Sequence, residues 1–599
     1  MRSPARVLNS LTKHSQTTEY RFERLYRILF NEEMYYLAYQ RIYAKPGNMT
    51  QGADGETIDR MSLPRIEKLI LSLKDESYSP QPSRRVHIPK KNGKTRPLGV
   101  PSFDDKLVQE VVRMVLEAIY EGHFEDTSHG FRPHRSCHTA LNAVHKNFNG
   151  KKWFIEGDIK GFFDNVNHDI LIDILKERIS DERFIRLIRK FLKAGYLEQW
   201  QFHGTYSGMP QGGIISPILA NIYLDKLDKY MKEYASKFDK GDRGRQRREY
   251  EVLTYQKRLV MRELKTATND AERKVLVKRL KEIDKTRSAM PCFDPMDGNF
   301  KRLKYVRYAD DFLIGIIVSK VKIKDDIKRF LADRLALELS DEKTLITHTE
   351  KPAKFLGYEV TVRRSNLQKR NKRGSLSRVY GNKVRLKVTT EVIKKKLLEL
   401  GVLKFSYHNG HEQWIPKHRS ELINNDDLEI LDSYNAEIRG FYNYYSIANN
   451  ASELNTFHYI MQYSMYKTFA GKYRTTVRRI CRKYKRNGVF TVGYTVKNGK
   501  AKERRLYNEG FKRKRPSYDR SIDRCPNPMP GVSTTSLIDR LKAQKCELCG
   551  ATDNLVMHHV RKLGELKGKE NWEKLMIARR RKTMAACGSC HQKIHHGTF

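Results

Sequence analysis

The period of the apolar positions changes along this chain, and each change predicts an element. Residues 17–45 read as helical. From Arg84 to Val100, RRVHIPKKNGKTRPLGV predicts two strands about a turn at Asn92-Gly93, a pair that tolerates the positive φ of a tight hairpin. Residues 104–121 show helical apolar spacing behind an Asp N-cap. Trp153 to Ile159, WFIEGDI, predicts a short strand and then a turn. In LKYVRYADDFLIGIIV two apolar runs flank Asp310 and Asp311, which predicts a β-hairpin with carboxylates at its tip.

Residues 237–302 read as a charged helical pair inserted between two strand-bearing motifs, a surface hairpin as much as an RNA contact. Residues 390–465 are rich in helix formers and aromatics. From Lys467 to Arg524 there are 20 Lys/Arg against 4 Asp/Glu, interleaved with Tyr and Phe. That mixture suits tracking of a nucleic-acid backbone with base stacking. Pro526, Pro528, Pro530 and Gly531 then read as a linker before a last unit from about Ser536.

Charge sharpens the picture. The 599 residues carry 116 Lys/Arg against 70 Asp/Glu, a net +46, so compaction is opposed by self-repulsion unless a polyanion neutralises it. Nucleic acid is the expected partner. The expectation is of no membrane partner and no secretory signal: a run of about 18 apolar residues is missing, and the N-terminus lacks an apolar core. Four of the eight cysteines pair as CxxC near the C-terminus, which suits a reducing compartment and a metal site more than a disulfide scaffold.

Asp158, which ends WFIEGDI, joins Asp310 and Asp311 as a candidate ligand set for the two Mg²⁺ ions that nucleotide transfer uses. A bare pair of turn acids would be the bland reading, but the surrounding motifs decide. GDIKGFFDNVNH, SGMPQGGIISPILANIYL, YADD, KFLGYEV and IPKKNGKTRPLGVP resemble, in order and spacing, the motifs of reverse transcriptases over roughly residues 30–362. The resemblance implies that Lys90 and Arg96 contact the triphosphate and that Phe163 is a steric gate against a ribose 2′-hydroxyl. It also places Gln211 beside the incoming nucleotide, with Gly212-Gly213 permitting close backbone approach. Phe163 reads almost as well as a core aromatic. Asp164 and His168 are structural by default.

HGFRPHRSCHTAL and MYYLAYQRIYAKPGNMTQGADG resemble group II intron-encoded proteins and their retron relatives, and LEILDSYNAEIRGFYNYYSIANN resembles the maturase segment of the intron-encoded proteins, with Arg439 to Tyr445 as its core. Each of those tyrosines fits a helix core as well as an RNA contact.

At the C-terminus, Cys546-x2-Cys549 and Cys587-x2-Cys590 have the spacing of a four-thiolate Zn²⁺ site. His591 and His595 share a face if helical. The segment resembles HNH (ββα-metal) endonucleases, which implies that His558, His591 and His595 bind a divalent cation, Mg²⁺ or Mn²⁺, and that His559 is the general base. The slot where that family places a central Asn reads RRRKTMAAC here, and Asn571 lies upstream. A zinc ribbon that only binds DNA is the alternative.

The expected fold is therefore α/β and multidomain. It comprises an N-terminal extension (1–70), right-hand polymerase fingers and palm (71–362, with the 237–302 insertion) and an α-helical thumb or maturase domain (363–466). A basic DNA-binding region and linker (467–535) and a small ββα-metal HNH zinc domain (536–599) follow. The resemblance implies an RNA-directed DNA polymerase that uses dNTPs, binds group II intron RNA as a ribonucleoprotein, promotes its splicing and nicks target DNA for retrohoming in the bacterial cytoplasm or nucleoid. A splicing-only maturase and a retron or defence-type reverse transcriptase are the rivals.

Overall fold

The computed structural model describes residues 3–597 except 45, 90–94, 200, 295–296, 318–320, 366, 371–373, 375, 379–380, 496–500, 520–521, 523–536 and 580. Its first segment is less helical than the pattern predicts. A 3-10 turn, Tyr26–Phe30, and a helix α1 (Glu32–Ile42) form, but residues 17–25 do not wind. Arg24 sits at φ +57° and the Asp181 carboxylate accepts the Tyr26 N–H at 2.8 Å, so the chain turns where a helix was expected.

Strands β1 (Ser83–Pro89) and β2 (Thr95–Val100) pair antiparallel, Arg84 opposite Val100 and Pro89 opposite Thr95. The Asn92-Gly93 turn and Lys90 fall outside the described residues. Helix α2 (Phe103–Tyr120) forms where the periodicity places it, with Leu107, Val111, Val115 and Ile119 buried at helical spacing.

Strand β3 (Trp153–Asp158) is central to the next sheet. Helix α3 (Ser216–Phe238) packs beneath it, and the charged insertion follows as an antiparallel pair, α4 (Arg248–Thr266) and α5 (Asp270–Ala289). The pair has its own small core of Val260, Leu276 and Ile283, and backbone bridges Lys240–Lys301 and Gln246–Phe293 close its base. The expected acidic hairpin is β4 (Arg302–Tyr308) and β5 (Asp311–Ile317). With β6 (Leu345–His348) it gives an antiparallel sheet in the order β4-β5-β3-β6.

Strand β7 (Tyr358–Arg363) leads to helices α6 (Asp427–Tyr445) and α7 (Leu454–Lys472). The basic stretch does not stand apart from them. It folds as helix Val477–Tyr484 and the hairpin β8 (Val489–Thr495) and β9 (Ala501–Arg505). Ile480, Tyr484, Phe490, Val492, Leu506 and Phe511 are buried in one core with Ile430, Tyr434 and Ile438 of α6. Phe154, Val306 and Leu313 of the β3-centred sheet belong to that same core. Most aromatics of the stretch are thus structural, while Tyr473 and Tyr518 remain exposed.

The last unit is a ββα arrangement of β10 (Leu555–His559), β11 (Thr583–Cys587) and α8 (Gly588–His596). It docks on the N-terminal segment. Leu537, Leu541, Met557 and Ala585 are buried in the core that contains α1 and α2, and the Met557 N–H donates to the Met61 carbonyl at 2.8 Å. Among the described residues, no helix is long and apolar enough to cross a membrane.

Candidate active sites

The sheet register brings the acidic residues together. Asp158, last in β3, lies directly across from Asp311, first in β5, and Asp311 faces Tyr308 across the hairpin. The two-residue tip needs a left-handed residue, and Ala309 takes φ +55°. It is held there: the buried Arg307 guanidinium donates to the Ala309 carbonyl at 2.8 Å, to Ser128 Oγ at 2.7 Å and to both oxygens of Asp228, which is as fully buried as Arg307. Gly130 backs the same turn, where a Cβ would fall 2.3 Å from the Ala309 nitrogen. Arg307 and Asp228 were invisible as site residues in the sequence, because an Arg in a strand and an Asp in a helix carry no motif of their own.

Burial, then repulsion from Asp310 and Asp158, pushes the Asp311 carboxyl up to about 7. Burial also raises Asp310, and the Asp158 charge adds to that rise. Crowded, partly desolvated carboxylates of this kind fit divalent cations, which supply the charge the protein lacks. Lys343 Nζ partly fills that role, 2.7 Å from Asp158 Oδ2.

Arg96, exposed on β2, donates from Nε to Gln211 Oε1 at 2.7 Å, so two of the expected nucleotide contacts already touch. Gly212 sits at φ +122°, and a Cβ there would lie 2.4 Å from the Gly99 carbonyl oxygen. Phe163 is half-buried. Its ring packs edge-on to Phe162, and it lines a cleft of ≈ 450 Å³ with Tyr206, Gly208 and Gln211. His168 Nε2 donates to the Gly208 carbonyl at 2.7 Å, so that nitrogen carries the proton.

The maturase-like tyrosines turn inward. Tyr444 and Tyr445 donate to the carbonyls of Leu356 and Gly357, at 2.9 and 3.4 Å, and Tyr358 donates back to the Tyr444 carbonyl. Tyr442 donates to the Lys512 carbonyl at 2.6 Å. Arg439, by contrast, is exposed.

In the C-terminal unit Cys546, Cys549, Cys587 and Cys590 converge, their ligand atoms all within 4.8 Å of one another. The Cys549 and Cys587 sulfurs are 3.6 Å apart, close to the edge of about 3.8 Å of a tetrahedron with 2.3 Å metal–sulfur bonds. The donor set fits zinc. His558, His591 and His595 also converge, and a fourth donor joins them that spacing could not reveal: Asp59, from the N-terminal segment. His559 Nδ1 is 3.0 Å from the Met557 carbonyl, so it is the protonated nitrogen, and the Nε2 lone pair accepts from Tyr39 Oη at 2.9 Å. Burial pushes the His559 imidazole down to about 4. Asn571 is exposed at the start of a helix, and the backbone of Met557 fixes the ring instead.

Known proteins resemble the chain along its whole length. Residues 88–255 match the reverse transcriptase (RNA-dependent DNA polymerase) family, residues 382–515 the type II intron maturase family, and residues 546–591 the AI2M/AI1M-like HNH endonuclease family. Group II intron-encoded protein LtrA of Lactococcus lactis subsp. cremoris is 44% identical over 606 residues that span all of both chains. The putative COX1/OXI3 intron 1 protein of Saccharomyces cerevisiae is 35% identical across 96% of this chain and 69% of its own. Protein YkfC of Escherichia coli is 34% identical across 58% of this chain and 84% of its own. The chain therefore belongs to the group II intron-encoded proteins, which join reverse transcriptase, intron maturase and HNH endonuclease in one polypeptide.

Proposed function

We propose that this protein carries its intron into DNA by target-primed reverse transcription, with polymerisation at Asp158, Asp310 and Asp311 and second-strand nicking at His559. The reading is carried by the register that sets Asp158 against Asp311 beside Asp310 at the tip of a strand pair. In this reading residues 71–362 are fingers and palm, 363–466 the thumb that grips intron RNA, 467–535 the DNA-binding region and 536–599 the endonuclease.

Mg²⁺ held by the three aspartates would supply positive charge to the triphosphate and to the attacking 3′-hydroxyl. Lys90 and Arg96 hold the triphosphate, and the Arg96 contact with Gln211 ties that grip to the loop beside the nucleotide. Phe163 blocks a ribose 2′-hydroxyl and so selects dNTPs. In the endonuclease, His559 Nε2 takes the proton of the attacking water, and the Met557 carbonyl holds its other nitrogen in the required tautomer. Mg²⁺ or Mn²⁺ at His558, His591 and His595 would neutralise the phosphate under attack. Intron RNA inserted in one strand then serves as template, and the nick in the other supplies the primer.

The test separates the two chemistries. The ribonucleoprotein with His559→Ala is expected to lose nicking of double-stranded target DNA by about 10²-fold or more, the scale of a lost general base, and to lose cDNA at the target with it. Extension of a primer annealed in advance should persist. Target cDNA that survives without the nick would refute the proposed order of events.

A second expectation concerns zinc at Cys546, Cys549, Cys587 and Cys590. Structural zinc binding contributes on the order of 10 kcal/mol to small units of this size. Cys587→Ser should therefore melt the C-terminal unit, seen as cleavage by protease between residues 537 and 597, and abolish nicking while primer extension remains.

A further inference from the structure

The histidines expected to hold the endonuclease cation are not open to solvent on all sides. The docked N-terminal segment covers them, and it does so with a carboxylate. Asp59 Oδ2 lies 3.1 Å from His591 Nε2 and 2.9 Å from His595 Nε2, and Asp59 Oδ1 lies 3.5 Å from His558 Nδ1. His591 and His595 Nε2 are 3.3 Å apart. A cation with four N or O donors at 2.0–2.1 Å in a tetrahedron has donor–donor edges of about 3.3 Å. The four side chains thus stand at the spacing of a complete coordination shell.

Two further observations favour a cation over a plain ion pair. His558 is 3% exposed, and neither of its ring nitrogens has a hydrogen-bond partner. A buried imidazole in that state is unfavourable unless something accepts its lone pair. The Nε2 atoms of His591 and His595 also converge on one carboxylate oxygen and lie 3.3 Å from each other, a grouping that a cation among them would hold together. His595, with 45% of its side chain exposed, leaves an entry path for an ion.

Resting on the HNH reading above, we propose that Asp59 is the fourth ligand of the endonuclease cation and closes the site in the docked arrangement. A hydrolytic metal site needs an open position for the phosphate or water it acts on. Here the chain's own carboxylate, an anionic oxygen donor like a phosphate, takes that position. The same segment occupies the base: Tyr39 Oη donates to the His559 Nε2 lone pair, and the His559 backbone N–H donates to Asp59 Oδ1 at 2.8 Å. The cation donors and the base are therefore covered together by Asp59 and Tyr39, and a DNA strand reaches them only when it displaces Asp59. The endonuclease unit is latched at its own active site.

The test uses the full-length protein with Zn²⁺ loaded at the cysteines, titrated with Co²⁺ and read by visible ligand-field absorption. Tetrahedral Co²⁺ absorbs far more strongly than the octahedral ion that oxygen ligands at the polymerase aspartates would hold. Wild type should show one intense band. Asp59→Asn and Asp59→Ala should weaken that binding at least tenfold and move the band, and hydrogen exchange at Leu555–His559 should speed up at least tenfold. Exchange in strand β3 should stay at the wild-type rate, which certifies the fold. His595→Ala should abolish the band. An unchanged band and affinity in both Asp59 variants, with the band lost in His595→Ala, overturns the proposal and leaves the endonuclease reading standing. A band that survives His595→Ala overturns the endonuclease metal site itself, and the proposal with it.

Discussion

Asp310→Asn is expected to stop cDNA synthesis, by about 10³-fold or more, and at the same time to raise the melting temperature of the metal-free protein. The first effect follows from the charge that Mg²⁺ contributes to phosphoryl transfer, worth several kcal/mol, with each 1.36 kcal/mol a factor of ten. The second follows from the sheet register. Asp158, Asp310 and Asp311 crowd one end of the sheet, and burial and mutual repulsion raise the carboxyls of Asp310 and Asp311. A carboxyl raised above its unfolded value is charged at neutral pH at a cost to folding, so an uncharged isostere removes that cost. Primer extension and a thermal melt in EDTA, run on wild type and variant together, check both. A variant that is inactive and also less stable would mean that Asp310 has a scaffolding role instead. Splicing of the intron RNA should continue, because the variant leaves the fold intact.

The second large effect lies just behind the carboxylates. Asp228→Ala is expected to destabilise the protein by about 3–5 kcal/mol, the range for breaking a buried ion pair by removing one partner. Arg307 and Asp228 are both fully buried. Without Asp228 the guanidinium is left charged in the core, and Tyr305 loses the acceptor for its hydroxyl at 2.9 Å. The same guanidinium holds the Ala309 carbonyl, so polymerisation should fail even in the fraction that stays folded. Ser128→Ala removes a single hydrogen bond to Arg307 and should cost only about 1.5–3 kcal/mol, as for a bond to a charged group. Urea unfolding of both variants measures the difference. An Asp228→Ala protein as stable as wild type would show that the pair does not hold the hairpin.

The hairpin around Asp310 and Asp311, strand β3 and helix α2 were legible in the sequence because local periodicity alone specifies them. The four cysteines were legible because tetrahedral coordination imposes short spacings, and the histidines through the resemblance to HNH endonucleases. Asp59 was not. It lies more than 490 residues before the histidines it meets, between Ile58 and Arg60, with nothing local to mark it. Its role exists only once Met61 pairs with Met557. The basic stretch misled in another way. Its excess of cations drew attention from Ile480, Phe490, Val492 and Leu506, whose burial makes it part of a core. Residues 17–25 failed as helix because Arg24 takes a left-handed backbone angle that composition does not announce.

The core shared by the two central regions has an evolutionary consequence. Phe154, Val306 and Leu313 from the strands around Asp158, Asp310 and Asp311 are packed with Tyr434, Ile438 and Tyr445 from the maturase helices. A descendant of this chain could lose Asp158, Asp310 and Asp311 to drift and keep its hold on RNA. It could not discard the strands that bore them without cost, since the maturase helices would lose the part of their core that Phe154, Val306 and Leu313 supply. Selection on splicing alone would thus preserve an entire polymerase scaffold long after the last nucleotide had been copied on it.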